Sequence, residues 1–173
     1  MPFPRKHIRL NPAMYVGRPS YFVTMCCAGH RPIFANSRNA IELIETLRTH
    51  SITHSFAVHA YCVMPDHFHM FVAGVEPTSD LLALVKHIKQ TTSRLHRGVT
   101  GETVWQKKFY DHILRPRDNA EGVAAYIWMN PVRKGLCTDP RDHPYSGSFT
   151  IDWKTAIAPV ESWVPHWKKR LPA

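Results

Sequence analysis

No stretch of the chain approaches the ~18 consecutive apolar residues that a membrane-spanning helix requires, so the sequence predicts no such span. The basic N-terminus is not followed by an apolar segment of the secretory kind, and the expected location is cytoplasmic. Cysteine is scarce and unpatterned. Cys26, Cys27, Cys62 and Cys137 contain no Cys-x-x-Cys spacing, and adjacent cysteines rarely bond to each other, so all four are expected to be buried free thiols of a reducing compartment. No internal repeat or low-complexity linker interrupts the chain. It is expected to form one domain over 1–173, with a basic arm at 1–14 and an irregular arm from about 137 to 173. Acidic residues are also few: 22 Lys and Arg stand against 13 Asp and Glu, a formal charge of +9. That excess favours a polyanionic partner without choosing among nucleic acid, a membrane surface and simple solubility.

The 44% hydrophobic fraction, 11% of the chain being aromatic, excludes wholesale disorder, and 173 residues are enough for one well-buried core. The positive charge is unevenly placed. Residues 1–20 carry Arg5, Lys6, Arg9 and Arg18 with no acid, and residues 81–117 set Lys86, Lys89, Arg94, Arg97, Lys107, Lys108, Arg115 and Arg117 against Glu102 and Asp111. Such clustering suggests a binding face.

Tyr21–Cys27 is rich in β-formers and reads as a first strand. Asn36 or Ser37 can cap a helix through about His50, with Ala40, Ile41, Ile44 and Leu47 at helical spacing. Phe56–Val63 and His67–Val72 read as two strands paired through a tight turn at Met64-Pro65-Asp66. Thr78 or Ser79 opens a second helix to about Arg97, burying Leu81, Leu82, Leu84, Val85 and Ile88. Val104–Leu114 suits either a fourth strand or an extended loop. Asp118, with Glu121 three residues on, resembles a capping box for a third helix that Pro131 should stop near Asn130. The order β-α-β-β-α-β-α predicts an α+β, ferredoxin-like (RRM-like) antiparallel sheet with helices packed mainly on one face.

The segment Tyr61–Val72 is the richest in chemistry. It sets His67 and His69 two apart on a strand, where both imidazoles share a face and Phe68 is driven into the core behind them. Two fixed imidazoles are half of a divalent-metal site, although a His-x-His pair also suits satisfied polar residues on a sheet face. Tyr126 and Asn130, four apart, share a face of the third helix. By themselves they also suit a core aromatic and a C-terminal cap.

Met64-Pro65-Asp66-His67-Phe68-His69, Trp105-Gln106, Tyr110-Asp111-His112 and Tyr126-Ile127-Trp128-Met129-Asn130-Pro131-Val132-Arg133-Lys134-Gly135-Leu136 together resemble the REP-associated tyrosine transposases, a branch of the single-tyrosine HUH transposases, over roughly residues 15–150. The resemblance implies a metal-dependent nuclease and strand transferase that cuts single-stranded DNA beside a REP-type hairpin. In that reading Tyr126 is the nucleophile and forms a 5′-phosphotyrosine. His67, His69 and Asn130 hold Mg²⁺ or Mn²⁺, Asn130 being the weakest ligand of the three. Charge placement and resemblance together nominate Lys86, Lys89, Arg94, Arg115 and Arg133 for phosphate contacts, with Arg5, Arg9 and Arg18 in a guiding arm. Trp105 and Trp128 are candidates for stacking on unpaired bases or for the core. His112 suits a structural hydrogen bond or a place near DNA and metal. The long tail after Gly135 is expected to hold Tyr126 in cis, favouring a monomer over a helix-exchanged homodimer. Competing readings are a non-catalytic single-strand binding module and a replication-initiator HUH nuclease. The solitary tyrosine of the third helix argues against the second.

Overall fold

In the computed structural model, which describes residues 11–157, the chain runs β1 (Ser20–Cys26), α1 (Ser37–Thr53), β2 (Phe56–Met64), β3 (His67–Gly74), α2 (Leu81–Thr100), β4 (Tyr110–Ile113) and α3 (Ala120–Trp128). A single turn α4 (Asn130–Arg133), a short strand β5 (Ser146–Gly147) and a turn α5 (Trp153–Ala156) follow. Arg5, Arg9 and the last residues of the expected C-terminal arm lie outside the described residues. The sheet order is β4-β1-β3-β2-β5, with every neighbouring pair antiparallel. Between β1 and β2 the chain skips β3, and between β3 and β4 it skips β1. This interleaving is the split β-α-β arrangement of the ferredoxin-like fold. Among the described residues no helix is long and apolar enough to cross a membrane.

The pleat sorts the side chains into two layers. Tyr21, Val23 and Met25 of β1 and Phe68, Met70 and Val72 of β3 meet Leu43 and Leu47 of α1 and Leu81, Leu84 and Ile88 of α2. Phe68 and Met70 are wholly buried there, each contributing about 1.5–3 kcal/mol relative to exposure. Phe22, Phe71, Ala60, Cys62 and Met64 point the other way and meet Val123, Tyr126 and Ile127 of α3. A bulge in β2 keeps this sorting intact. Val58 pairs with Val72 and Ala60 with Phe71, so the strand gains a residue and Tyr61 and Val63 return to the layer served by Val58.

Three local expectations are corrected. The N-cap of α2 is Asp80, which accepts from the Ala83 N–H at 3.1 Å, while Ser79 donates its hydroxyl to the Ser55 carbonyl at 2.7 Å and ties the start of β2 to the turn. The N-cap of α3 is Asn119, which accepts from Gly122 N–H, because Asp118 is engaged by the Arg115 N–H and by His112. Pro131 does not stop α3. The helix ends at Trp128, and Pro131 sits in the first turn of α4, where its missing N–H leaves no partner unmet.

The described part of the C-terminal arm is more ordered than irregular. β5 pairs with β2, and His143 donates from Nε2 to the Val63 carbonyl at 3.0 Å. Gly147 allows the close approach: a Cβ there would lie 2.3 Å from the Tyr61 hydroxyl. The Gly147 carbonyl in turn accepts from Trp128 Nε1 at 3.0 Å, and Trp153 packs 5.3 Å from the Trp128 ring. The arm thus clasps α3 against the sheet of its own chain.

Candidate active site

His67 and His69 emerge on the α3 face of β3, with ring centroids 4.7 Å apart, and Phe68 between them is buried on the opposite face. Each imidazole is oriented through Nδ1. His67 donates to the Asp66 carboxylate at 2.6 Å, and His69 lies 2.7 Å from the Thr24 hydroxyl, its register partner on β1. Nε2 is therefore the nitrogen through which either ring would bind an ion. A carboxylate behind an imidazole fixes its tautomer and raises its basicity as a ligand. Burial works to raise the Asp66 pKa, but the hydrogen bond and charge of His67 outweigh it and hold the carboxyl below its usual range. His30 Nδ1 sits 3.6 Å from the same carboxylate.

Asp66, which stands in the turn and in the motif ahead of His67, is a further functional candidate. Its adjacency to His67 is the available signal. Thr24 has no local signal at all, since only the β1–β3 register brings it to His69.

Tyr126 is buried, and its ring centroid lies 6.4 Å from that of His69. Phe22 packs against both, 5.6 Å from His69 and 5.9 Å from Tyr126. The phenol and the histidine pair thus share one face of the sheet. The Arg133 guanidinium lies 4.1 Å over the Tyr126 ring and donates to the Tyr126 carbonyl. This residue, nominated for phosphate contact, thus lies against the Tyr126 ring. Asn130 is buried, and its Nδ2 donates to the carbonyls of Tyr126 at 3.1 Å and Ile127 at 3.3 Å, closing the end of α3. Its Oδ1 is the atom that would serve an ion. A second tyrosine, Tyr110 of β4, borders the same face 6.4 Å from Phe22. Burial and the negative charge of Asp111 push its pKa above the ordinary phenol value.

The remaining nominees separate clearly. His112 Nε2 donates to Asp118 at 3.1 Å and ties β4 to the start of α3, a structural role. Trp105 and Trp128 are both buried, with Trp105 Nε1 donating to Thr92 Oγ1 at 2.8 Å, so neither presents a ring face for a base. Lys89 donates to the Gln106 carbonyl at 2.9 Å and lies over the Phe109 ring at 5.5 Å, fastening the segment before β4 rather than projecting into solvent. Arg18, Lys86, Arg94 and Arg115 are exposed. Lys89, Arg94, Arg97 and Lys107 line an open cleft of about 630 Å³. One wall of it includes Gln106, whose N–H donates to the Cys26 carbonyl, and Cys26 pairs with His67 across the sheet. The cationic cleft therefore adjoins the His67 end of β3.

A family model described as IS200-like transposase matches residues 16–130. A Haemophilus influenzae protein provisionally named a REP-associated tyrosine transposase is 31% identical over 62% of this chain and 66% of its own length. An Escherichia coli REP-associated tyrosine transposase is 26% identical over 57% of this chain and 62% of its own length. The matched region thus spans a little under two thirds of these curated relatives. The solved structure of a REP-associated tyrosine transposase bound to a REP hairpin covers 92% of both chains with a TM-score of 0.74 at 22% identity, which establishes a shared fold.

Proposed function

Because the chain belongs to the IS200-like transposase family, we propose that it is a single-tyrosine DNA nicking and joining enzyme acting on hairpin-bearing, REP-like single strands. The observation that carries this reading is the common face of Tyr126 and His69, whose rings lie 6.4 Å apart with Phe22 packed against both. The Tyr126 phenolic oxygen attacks the scissile phosphorus, and the new O–P bond forms as the bond from phosphorus to the 3′ oxygen breaks. The phenol loses its proton and the departing 3′ oxygen gains one, leaving a 5′-phosphotyrosine and a free 3′-OH. Because the ester bond is exchanged rather than hydrolysed, the reverse attack by a 3′-OH rejoins the strand.

Arg133, stacked over the ring, holds a positive charge beside the nucleophile, where charge gathers on the phosphate in the transition state. The donor set suits a divalent metal. His67 and His69 are oriented by Asp66 and Thr24; with the Asn130 amide as third ligand the set would be neutral and leave an ion its full charge. Mg²⁺ or Mn²⁺ bound there would neutralise charge on the phosphate and stabilise the leaving 3′ oxygen. Exposed Lys86, Arg94, Arg115 and Arg18, with Arg5 and Arg9 of the N-terminal segment, supply phosphate contacts. The assembly proposed is a monomer working in cis, with α3 held beside Trp153 of the C-terminal arm.

The test incubates the protein with labelled single-stranded hairpin DNA and Mn²⁺ and looks for a denaturation-resistant protein–DNA adduct. Wild type is expected to form it, and Tyr126→Phe and His67→Ala are expected not to. A binding module without catalysis forms no adduct and keeps its DNA affinity in Tyr126→Phe.

A further inference from the structure

On the opposite face of the sheet, α1 and α2 bring together three histidines that no single stretch of sequence contains. His50 and His54 lie four apart at the C-terminal end of α1, and His87 faces them from α2. Their ring centroids are 4.8 Å apart for His54 and His87, 5.7 Å for His50 and His87, and 6.2 Å for His50 and His54. One nitrogen from each ring lies within 4.8 Å of the others. His54 Nε2 and His87 Nδ1 share a hydrogen bond at 2.7 Å. His50 Nε2 meets the Thr91 hydroxyl at 2.9 Å, but its buried Nδ1 has no hydrogen-bond partner. A buried imidazole nitrogen left in that state calls for an explanation, and an ion is one.

We propose that His50, His54 and His87 form a second metal site that takes a late first-row transition ion of the Zn²⁺ class and staples α1 to α2. Three imidazoles without a carboxylate match the preference of Zn²⁺ and its neighbours and disfavour Mg²⁺ or Ca²⁺. Three protein ligands leave a fourth position for water, and the half-buried setting gives solvent a route to it. Thr91 holds the outer nitrogen of His50 as an orienting partner would. The negative end of the α1 dipole faces the cluster and favours a cation there. Tetrahedral Zn–N bonds set ligand nitrogens about 3.3 Å apart. The 2.7 Å pair must therefore open slightly and the widest separation close, which are side-chain rotations on two fixed helices. The site is independent of Tyr126 and of the reaction proposed above.

The experiment titrates metal-stripped full-length protein with Co²⁺ and then Zn²⁺, in a His67→Ala/His69→Ala background that removes the other imidazole pair. One Co²⁺ per chain is expected, with the strong visible absorption of four-coordinate cobalt, displaced by Zn²⁺ and accompanied by a higher Tm. Adding His87→Gln or His50→Gln should weaken binding at least ~10-fold, by analogy with losses seen for lesser partners. Should the alanine background fold poorly by circular dichroism, the wild-type chain serves equally: His50→Gln/His87→Gln should lower its Zn²⁺ stoichiometry by one. Absence of Co²⁺ or Zn²⁺ binding at micromolar metal, or binding indifferent to these substitutions, overturns the proposal.

Discussion

Phe68 and His69 are neighbours on β3 and both are almost fully out of solvent, yet they belong to different economies of the molecule. Phe68 sinks into an apolar layer with Met70, Leu43 and Leu84, where its value lies in the area it hides. His69 meets Thr24 at 2.7 Å, stacks on Phe22 and has the Tyr126 ring edge-on beside it. Both layers are packed apolar cores, but the α3 layer alone also carries the oriented polar groups His69 and Tyr126. Substitutions on the first should therefore remove stability and spare the chemistry of whatever stays folded, whereas changes to those polar groups on the second should remove chemistry with little loss of stability.

That contrast can be broken most decisively with Tyr126→Phe. Complete loss of the covalent adduct is expected, with unfolding free energy changed by only about 0.5–1.5 kcal/mol, as for a single hydroxyl. Phe68→Ala, one layer away, should lower unfolding free energy by about 3–5 kcal/mol in urea denaturation while leaving an adduct in whatever fraction remains folded. A Phe68→Ala protein as stable as wild type would erase the distinction between the layers.

Asp66→Asn sharpens it further. The variant keeps shape but loses the charge behind His67, so Mn²⁺ affinity measured by titration should fall about 10–100-fold with the Tm nearly unchanged. The smallest effect concerns the exposed cations: Lys86→Gln and Arg94→Gln should each flatten the dependence of log K on log salt by about 0.7 on a single strand, if each meets one phosphate. An unchanged slope would remove those residues from the DNA contact surface.

The parts legible in the sequence are those governed by local periodicity. The alternation of β3 is enough to put His67 and His69 on one face and Phe68 on the other, and the Pro65-Asp66 turn is enough to pair β2 with β3. Tyr126 is legible through the resemblance of its helix rather than through spacing. Features that depend on how distant elements meet are not legible. The hydrogen bond of Thr24 to His69 comes from strand register, and the convergence of His50, His54 and His87 comes from the mutual rotation of two helices. The contacts of long side chains are illegible for the same reason: nothing local shows that Lys89 reaches the Gln106 carbonyl and the Phe109 ring, or that Arg133 reaches the Tyr126 carbonyl and ring.

The most direct test of the central claim is to digest the denatured protein–DNA adduct and locate the nucleotide by mass spectrometry. Tyr110 and Tyr126 both border the histidine face, so the measurement discriminates between real alternatives. The account predicts the nucleotide on the peptide that contains Tyr126, joined through a 5′ phosphate. A nucleotide on Tyr110, or on any other residue, contradicts it.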